Sequence, residues 1–248
     1  MVLKSLNDLK GIVAGEPRKR MVVAAAQDQH SLGAVIKGWK ENIVDPILVG
    51  DKEKIQNICA ENNYDITGLR IIHEPDIQMA VEIAVKLVNN GQGDILMKGK
   101  VGTSILLKEV LNKEWGLRTG KLLSHFALFE VETYHKVIAV TDVAMNIAPN
   151  LQAKIAIINN SVGCLIKLGY IMPKVAVLGA VEMVNENMEA TLDAALLSKM
   201  NQRDQIKNCI IDGPLAFDNA VSLESAKRKG IRSEVAGDTD LLLMPDIE

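Results

Sequence analysis

Short apolar segments alternate with longer amphipathic segments along most of the chain. In residues 75–90, Ile77, Ala80, Val81 and Ala84 fall on one helical stripe, and Gly91 follows as a stop signal. Strands that alternate with helices in this way predict an α/β fold with parallel-rich sheets. The segments that read as strands are 21–26, 46–49, 69–73, 94–97, 122–131, 136–141, 174–178, 208–211 and 240–244.

One pair of predicted strands breaks the alternation. Only four residues separate segments 122–131 and 136–141, too few for a crossover helix, so these strands are expected to be antiparallel or diverging. We interpret the break as a domain change near residue 133. It divides the chain into a first α/β domain, 1–133, and a second, 134–248.

The residues after the last predicted strand do not continue the alternation of strands and helices. Residues 240–244 have the composition of a buried strand, and Asp246 reads as a helix start with no helix after it. A buried parallel strand needs cover on both faces. We therefore expect the second domain to be truncated at its C-terminal end, with an uncovered apolar strand that favours association with another chain.

Composition excludes several classes of protein. Of the 248 residues 48% are hydrophobic, which suits a globular core, and 28 basic against 31 acidic side chains leave a net charge of -3. Neither that charge nor 3% aromatic residues favours nucleic acid or anionic lipid. No apolar run approaches the ~20 residues of a membrane helix, and the N-terminus has no hydrophobic signal core. Cys59, Cys164 and Cys209 form no C-x-x-C pair and read as reduced core residues, so we expect a soluble cytoplasmic protein.

The strongest candidate for chemistry follows the predicted strand 94–97. Lys98, Gly99, Lys100, Gly102 and Thr103 lie in a turn that leads into a predicted helix, 105–112. Exposed N–H groups at a helix start favour an anion, and the two lysines add positive charge. Loops at the carboxyl ends of strands are where α/β sheets bind ligands. The alternative is an ordinary turn with two solvated lysines.

Other polar residues follow predicted strands or lie within them. No G-x-G-x-x-G, P-loop, H-E-x-x-H or G-x-S-x-G motif occurs, which removes the usual signs of nucleotide, zinc-protease and hydrolase chemistry. Each of the remaining candidates could instead be a turn former, a helix cap or a structural side chain. These candidates are Ser124, His125, Asp142, Asn146, Asp212 and Asp218.

Taken together, six motifs resemble the phosphate acetyltransferase and phosphate butyryltransferase family. They occur in the family's order over nearly the whole chain, and the forms of the lysine loop and of GAVEM at 179–183 are closer to the butyryl branch. The motifs are LMKGKVGT at 96–103, LSHFALF at 123–129, TDVAMNIAP at 141–149, PKVAVLG at 173–179, DGPLAFD at 212–218 and DLLLMPD at 240–246.

The resemblance implies two α/β domains of the isocitrate and isopropylmalate dehydrogenase type, with a substrate cleft between them. It implies reversible transfer of a short, butyryl-like acyl group between coenzyme A and inorganic phosphate, with coenzyme A as substrate and without a metal or redox cofactor. By motif, the lysine loop would hold phosphate, Ser124 and His125 would border the acyl site, and Asp142, Asn146, Asp212 and Asp218 would contact substrate. We also expect a homo-oligomer.

Two alternatives remain at this point. The family's arginine and presumed base lie in a segment past residue 248, which leaves the activity of this chain open. A noncatalytic protein that binds coenzyme A or an acyl phosphate is one alternative. A decarboxylating dehydrogenase on the same fold is the other, although the clustered carboxylates and nucleotide loop that it needs are not evident.

Overall fold

The computed structural model describes residues 2–247 and divides into two compact units. The first unit is Val13–Gly120, and the second unit combines Met1–Ile12 with Lys121–Glu248. This division differs from the predicted one near residue 133. Residues 132–135 belong to a connection between two antiparallel strands of the second unit, so the break in alternation marks a hairpin and not a domain boundary.

The first unit contains a four-stranded parallel sheet and its helices. After the short helix α1 (Asp8–Val13), the elements are β1 (Lys19–Ala24), α2 (Gln29–Lys40), β2 (Val44–Gly50), α3 (Lys52–Glu61), β3 (Arg70–His73), α4 (Ile77–Asn89), β4 (Ile95–Lys98) and α5 (Thr103–Val110). The strand order is β3-β2-β1-β4. Helices α2, α3 and α4 each begin after an aspartate, Asp28, Asp51 or Asp76, whose side chain accepts a hydrogen bond from an N–H of the first turn.

The second unit contains a five-stranded sheet and its helices. The elements are β5 (Ala127–Phe129), β6 (Ile138–Thr141), α6 (Leu151–Lys167), β7 (Lys174–Leu178), α7 (Glu189–Gln202), β8 (Ile210–Leu215), α8 (Phe217–Val221), α9 (Leu223–Arg228) and β9 (Leu241–Leu243). The strand order is β5-β6-β9-β7-β8; β5 pairs antiparallel with β6, as predicted, and the other pairs are parallel. No helix within residues 2–247 is long and apolar enough to cross a membrane.

Strand β9 lies at the centre of the second sheet, between β6 and β7. Leu241 and Leu243 join one core cluster with residues of α6 and α7, while Leu242 joins the cluster on the opposite face. None of the three leucines is more than 2% exposed. The expectation of an uncovered strand at 240–244 is therefore wrong, because neighbouring strands and both core clusters enclose these side chains.

A charged network joins the amino-terminal ends of β6, β9 and β7. Asp240, at the start of β9, accepts hydrogen bonds from Lys136 Nζ at 2.6 Å and from the N–H of Lys174 at 2.8 Å. Lys136 and Asp240 are both buried. Asp238 lies within 2.8 Å of the side-chain nitrogens of Lys136, Lys174 and His135. Burial raises the pKa of Asp238, but the hydrogen bonds from these three side chains outweigh it and hold the pKa well below its ordinary value.

Gly99 brings the backbone after β4 against the end of β1. Its N–H donates to Ala24 O at 2.9 Å, and the N–H of Lys100 donates to Ala25 O at 3.0 Å. A Cβ atom at position 99 would lie 2.2 Å from Ala25 O and 2.7 Å from Ala24 O. Only glycine fits this approach without a shift of backbone. At Gly102 the nearest such atom is Ser104 Oγ, at 3.8 Å.

We expect the stabilising effect of Asp238 to disappear at acid pH. Because its pKa is lowered in the folded state, the carboxylate stabilises the fold above the unfolded pKa of about 3.9, and this contribution is lost progressively as the pH falls from that value towards the lowered folded-state pKa. Asp238→Asn should unfold at lower urea concentration than the parent at pH 6, with a smaller difference at pH 3. Glu186→Gln, at an exposed position, serves as control. An equal Asp238→Asn deficit at both pH values would contradict the prediction.

Gly99→Ala should destabilise the first unit by about 1–3 kcal/mol, because the added methyl group meets backbone oxygen atoms. Gly102→Ser introduces a larger side chain into open space at the start of α5, where serine is a good N-cap, and should change the free energy of unfolding by less than about 0.5 kcal/mol. Urea denaturation of the two variants measures both effects. Equal stability of the two variants would show that the approach at Gly99 imposes no steric requirement.

Candidate functional site

The predicted lysine loop lines a cavity in the first unit. The cavity has a volume of about 490 Å³ and is bounded by residues 98–102 together with Asp28 and Ser31. Lys98 Nζ donates to Val101 O at 3.1 Å, which ties this side chain to its own loop. Thr103 is the first residue of α5 and does not line the cavity. Four of the five predicted loop residues thus surround one space, namely Lys98, Gly99, Lys100 and Gly102.

The electrostatics of this cavity favour an anion, with one opposing charge. Lys98 and Lys100 are both exposed, and no side chain caps the start of α5. Asp28 carries the opposing charge. The N–H and the hydroxyl of Ser31 donate to its carboxylate at 2.8 and 2.7 Å, and these hydrogen bonds lower the pKa of Asp28. Two lysines and one carboxylate leave one net positive charge at neutral pH.

Sequence reasoning missed Asp28 and Ser31 as neighbours of the lysine loop. Asp28 caps α2, the helix that follows β1, and β1 pairs directly with β4. Adjacent parallel strands bring the loops at their carboxyl ends together. An aspartate after β1 at helix-capping spacing was the available signal, but the strand order that brings β1 beside β4 is not evident from the chain.

A second cluster of predicted residues lies in the second unit, around residues 122–125. This segment precedes β5 and is held by side chains from elsewhere in the unit. Thr141 Oγ1 donates to His125 O at 2.5 Å, and Asn146 Nδ2 donates to Leu123 O at 3.0 Å. Asn160, on α6, donates to Leu122 O at 2.9 Å and to Ser124 Oγ at 3.0 Å. Ser124, His125, Asp142 and Asn146 are therefore brought together, and Asn160 is an addition that sequence reasoning missed.

Asp142 has its carboxylate largely occupied by the protein. It is 1% exposed and accepts from the N–H groups of Ala144 and Met145 at 3.1 and 2.9 Å and from Asn146 Nδ2 at 2.6 Å. Burial raises the pKa of Asp142, but these hydrogen bonds and one from the N–H of His125 outweigh it and lower the pKa. The geometry favours a role in shaping the loop.

The imidazole of His125 carries a buried nitrogen, Nδ1, that has no hydrogen-bond partner among the described residues. Leaving a buried polar atom unpaired costs about 1–3 kcal/mol, and such atoms need an explanation. Gln27, Ser161 and Asn219 also contain atoms of this kind. His125 differs from them because it adjoins Ser124 in the cluster of predicted residues.

Asp212 and Asp218 do not join this cluster. Asp212 lies within β8 and accepts from the N–H of Gly213, while Asp218 lies 3.4 Å from Lys229 Nζ on the surface. Strand β8 is three positions from β6 in the sheet, which separates the carboxyl ends of these two strands by about 14 Å. A single substrate that contacts Asp212 and Asp218 as well as Asp142 and Asn146, as predicted, must span this distance.

Two of the three cysteines, Cys59 and Cys209, do not supply an activated thiol. Cys59 and Cys209 are buried, and burial raises the pKa of both, to about 11 for Cys209. Both thiols stay protonated near neutral pH. Cys164 is exposed on α6, so its expected place in the core is wrong.

A second cavity, of about 660 Å³, is almost wholly apolar. It lies on the face of the second sheet where Leu242 packs, and Phe129, Val140, Phe217 and Met244 contribute to its lining. Helix α6, which carries Asn160, packs against the opposite face. The cavity is therefore separate from the Ser124–His125 cluster.

Comparisons with known proteins agree on one family. The family model described as phosphate acetyl/butaryl transferase matches residues 74–248. The phosphate butyryltransferase of Clostridium acetobutylicum is 47% identical over 247 residues, which span 100% of this chain and 82% of that protein. The phosphate acetyltransferase of Thermotoga maritima is 44% identical over 93% of this chain and 78% of its own length.

A solved structure extends the agreement to the fold. The branched-chain phosphotransacylase from Enterococcus faecalis V583 superposes with a TM-score of 0.79 at 31% identity, over 92% of this chain and 80% of that one. The sequence comparisons and the structural comparison therefore indicate the same family. The chain belongs to the phosphate acetyl/butaryl transferase family.

Proposed function

We propose that this protein transfers a short acyl group, butyryl-like in size, between coenzyme A and inorganic phosphate. Family membership and relatives named as phosphate butyryltransferases support the reaction class. The observation that carries the proposal within the structure is the cavity lined by residues 98–102, where two lysines and the uncapped start of α5 suit a phosphate group. Neither relatives nor family support a dehydrogenase or a noncatalytic binder.

Several finer expectations belong to the same proposal. They are a two-domain fold of the isocitrate and isopropylmalate dehydrogenase type, coenzyme A as a substrate, a cytoplasmic location and a homo-oligomer. The predicted substrate cleft between domains stays a prediction. The cytoplasmic location rests on the composition and cysteine usage of the sequence, and the other expectations rest on the family resemblance.

The reaction places two demands on the protein. The thiol of coenzyme A, like other thiols, has a pKa near 8.5 and must lose its proton to a base before it attacks the carbonyl carbon of an acyl phosphate. The new C–S bond replaces the bond between that carbon and the phosphate oxygen, and phosphate leaves. The protein must therefore hold the phosphate and stabilise negative charge on the carbonyl oxygen.

We assign the phosphate end of the substrate to the lysine loop. Lys100 is exposed and lines the cavity, so its ammonium group is available to phosphate oxygens. Lys98 is held beside it by Val101 O. The N–H groups at the start of α5 add donors without a net charge.

We assign the acyl end to Ser124 and His125. The hydroxyl of Ser124 can donate to a carbonyl oxygen, and His125 adjoins Ser124 in the chain. Asp142 and Asn146 hold the backbone of this segment. Contacts of Asp212 and Asp218 with substrate stay predictions.

The direct test is formation of the thioester from butyryl phosphate and coenzyme A, followed by its ultraviolet absorbance. We expect phosphate release equal to thioester formed, a reverse reaction that requires inorganic phosphate, and a higher kcat/KM for butyryl than for acetyl phosphate. Calorimetry on the same sample measures ligand binding. Binding of coenzyme A without transfer would support the noncatalytic alternative, and reduction of a nicotinamide cofactor by a hydroxy acid would support the dehydrogenase.

Removal of the loop charges should weaken phosphate binding. A charge-assisted hydrogen bond contributes about 1.5–3 kcal/mol, so Lys98→Ala or Lys100→Ala should raise the Kd for inorganic phosphate about tenfold or more. Lys108→Ala is a matched control, since it removes an exposed charge from the last turn of α5. If all three variants bind phosphate with the parental Kd in calorimetry, the loop is an ordinary turn.

A further inference from the structure

Asn160 is a half-buried residue on α6 whose side chain points its two amide hydrogens at the segment before β5. Nδ2 donates to Leu122 O at 2.9 Å and to Ser124 Oγ at 3.0 Å. Neighbours on α6, Ile157 and Ile158, are fully buried in the core of the second unit. The amide group is thus mounted on a helix that packing holds in place.

The backbone around Ser124 is fixed independently of that serine. Asn146 holds Leu123 O and Thr141 holds His125 O, while Asn160 itself holds Leu122 O. With the backbone defined on both sides, the remaining freedom lies in the orientation of the Ser124 hydroxyl. The second hydrogen bond of Asn160 restricts this orientation.

A hydroxyl group has one hydrogen to donate and two lone pairs that accept. An amide nitrogen can only donate, so Ser124 Oγ accepts from Asn160 and its own hydrogen must point elsewhere. Within residues 2–247 no acceptor takes that hydrogen. The Ser124 hydroxyl is therefore set as a donor with an unused hydrogen.

We propose that Asn160 is a positioning residue that orients the Ser124 hydroxyl to donate a hydrogen bond to the carbonyl oxygen of the acyl substrate. This inference rests on the proposed acyl transfer. The bond strengthens when negative charge develops on that oxygen during attack by the thiolate. Asn160 makes no contact with the substrate in this scheme and acts through Ser124.

Asn160→Asp reverses the polarity of this contact with little change in shape. A carboxylate accepts the hydrogen of Ser124 and so removes it from the substrate. We expect kcat/KM for butyryl phosphate to fall at least tenfold, mainly through kcat. Asn160→Ala removes the donor without offering an acceptor and should have a smaller effect. Asn159→Asp places the same charge on the adjacent, exposed residue of α6 and should leave kcat/KM within about twofold of the parent.

A double-mutant cycle with Ser124→Ala separates positioning from general structural support. If Asn160 acts through Ser124, Asn160→Asp should lower kcat/KM by less than about threefold once Ser124 is already alanine. A loss of tenfold or more in both backgrounds, with a parallel fall in the urea midpoint, would show a structural role and overturn the inference. Parental kinetics of Asn160→Asp would overturn it as well.

Assays of the parent protein distinguish a failure of this inference from a failure of the proposed function. If the parent forms thioester and the Asn160 variants behave like Asn159→Asp, the function stands and the positioning role is refuted. If the parent neither transfers acyl groups nor binds butyryl phosphate in calorimetry, the proposed function fails and the role of Asn160 fails with it.

Discussion

The second sheet depends on one buried carboxylate at the start of its central strand. Asp240 receives Lys136 Nζ from one side and the N–H of Lys174 from the other, and its own backbone bonds to the two neighbouring strands as well. Buried ions are tolerated only when they are paired and hydrogen-bonded. Here that requirement fixes the register of β6, β9 and β7. The register in turn sets the positions of the loops at their carboxyl ends.

The backbone N–H and C=O groups of the two candidate clusters find their hydrogen-bond partners in different ways. In the first unit, the loop after β4 uses main-chain hydrogen bonds to the end of β1, and Gly99 makes that close approach sterically possible. In the second unit, the segment 122–125 relies on the side chains of Thr141, Asn146 and Asn160. The first arrangement leaves lysine charges exposed to a ligand, and the second holds the Ser124 hydroxyl and the backbone of His125 in defined positions.

Much of the fold could be predicted because strands and helices have local signatures. Segment 174–178 coincides with β7, and the helix predicted at 75–90 is α4, Ile77–Asn89. Segment 122–131 shortens to Ala127–Phe129 because side-chain hydrogen bonds replace the ladder before β5. Strand β8 runs to Leu215, past the predicted end at 211, so Asp212 lies in a strand and not in a loop. The apolar composition at 240–244 correctly predicted that this segment is buried, but it did not show which elements bury it.

The site was predictable only where its residues are neighbours in sequence. Lys98, Gly99, Lys100 and Gly102 lie in one turn and line one cavity. Strand order, which brings Asp28 beside that turn, and helix packing, which brings Asn160 to Ser124, depend on contacts between distant residues. Asp218 shows the converse, since its place in a motif near a strand end does not reveal its surface contact with Lys229.

The central claim is that the phosphate of the substrate binds at the loop after β4. A crystal structure of the protein with bound inorganic phosphate tests it most directly. We expect a phosphate in the cavity bounded by Asp28, Ser31 and residues 98–102, with oxygen atoms within hydrogen-bond distance of Lys100 and of the N–H groups that begin α5. A well-occupied phosphate elsewhere on the protein, with this cavity empty at saturating concentration, would contradict it.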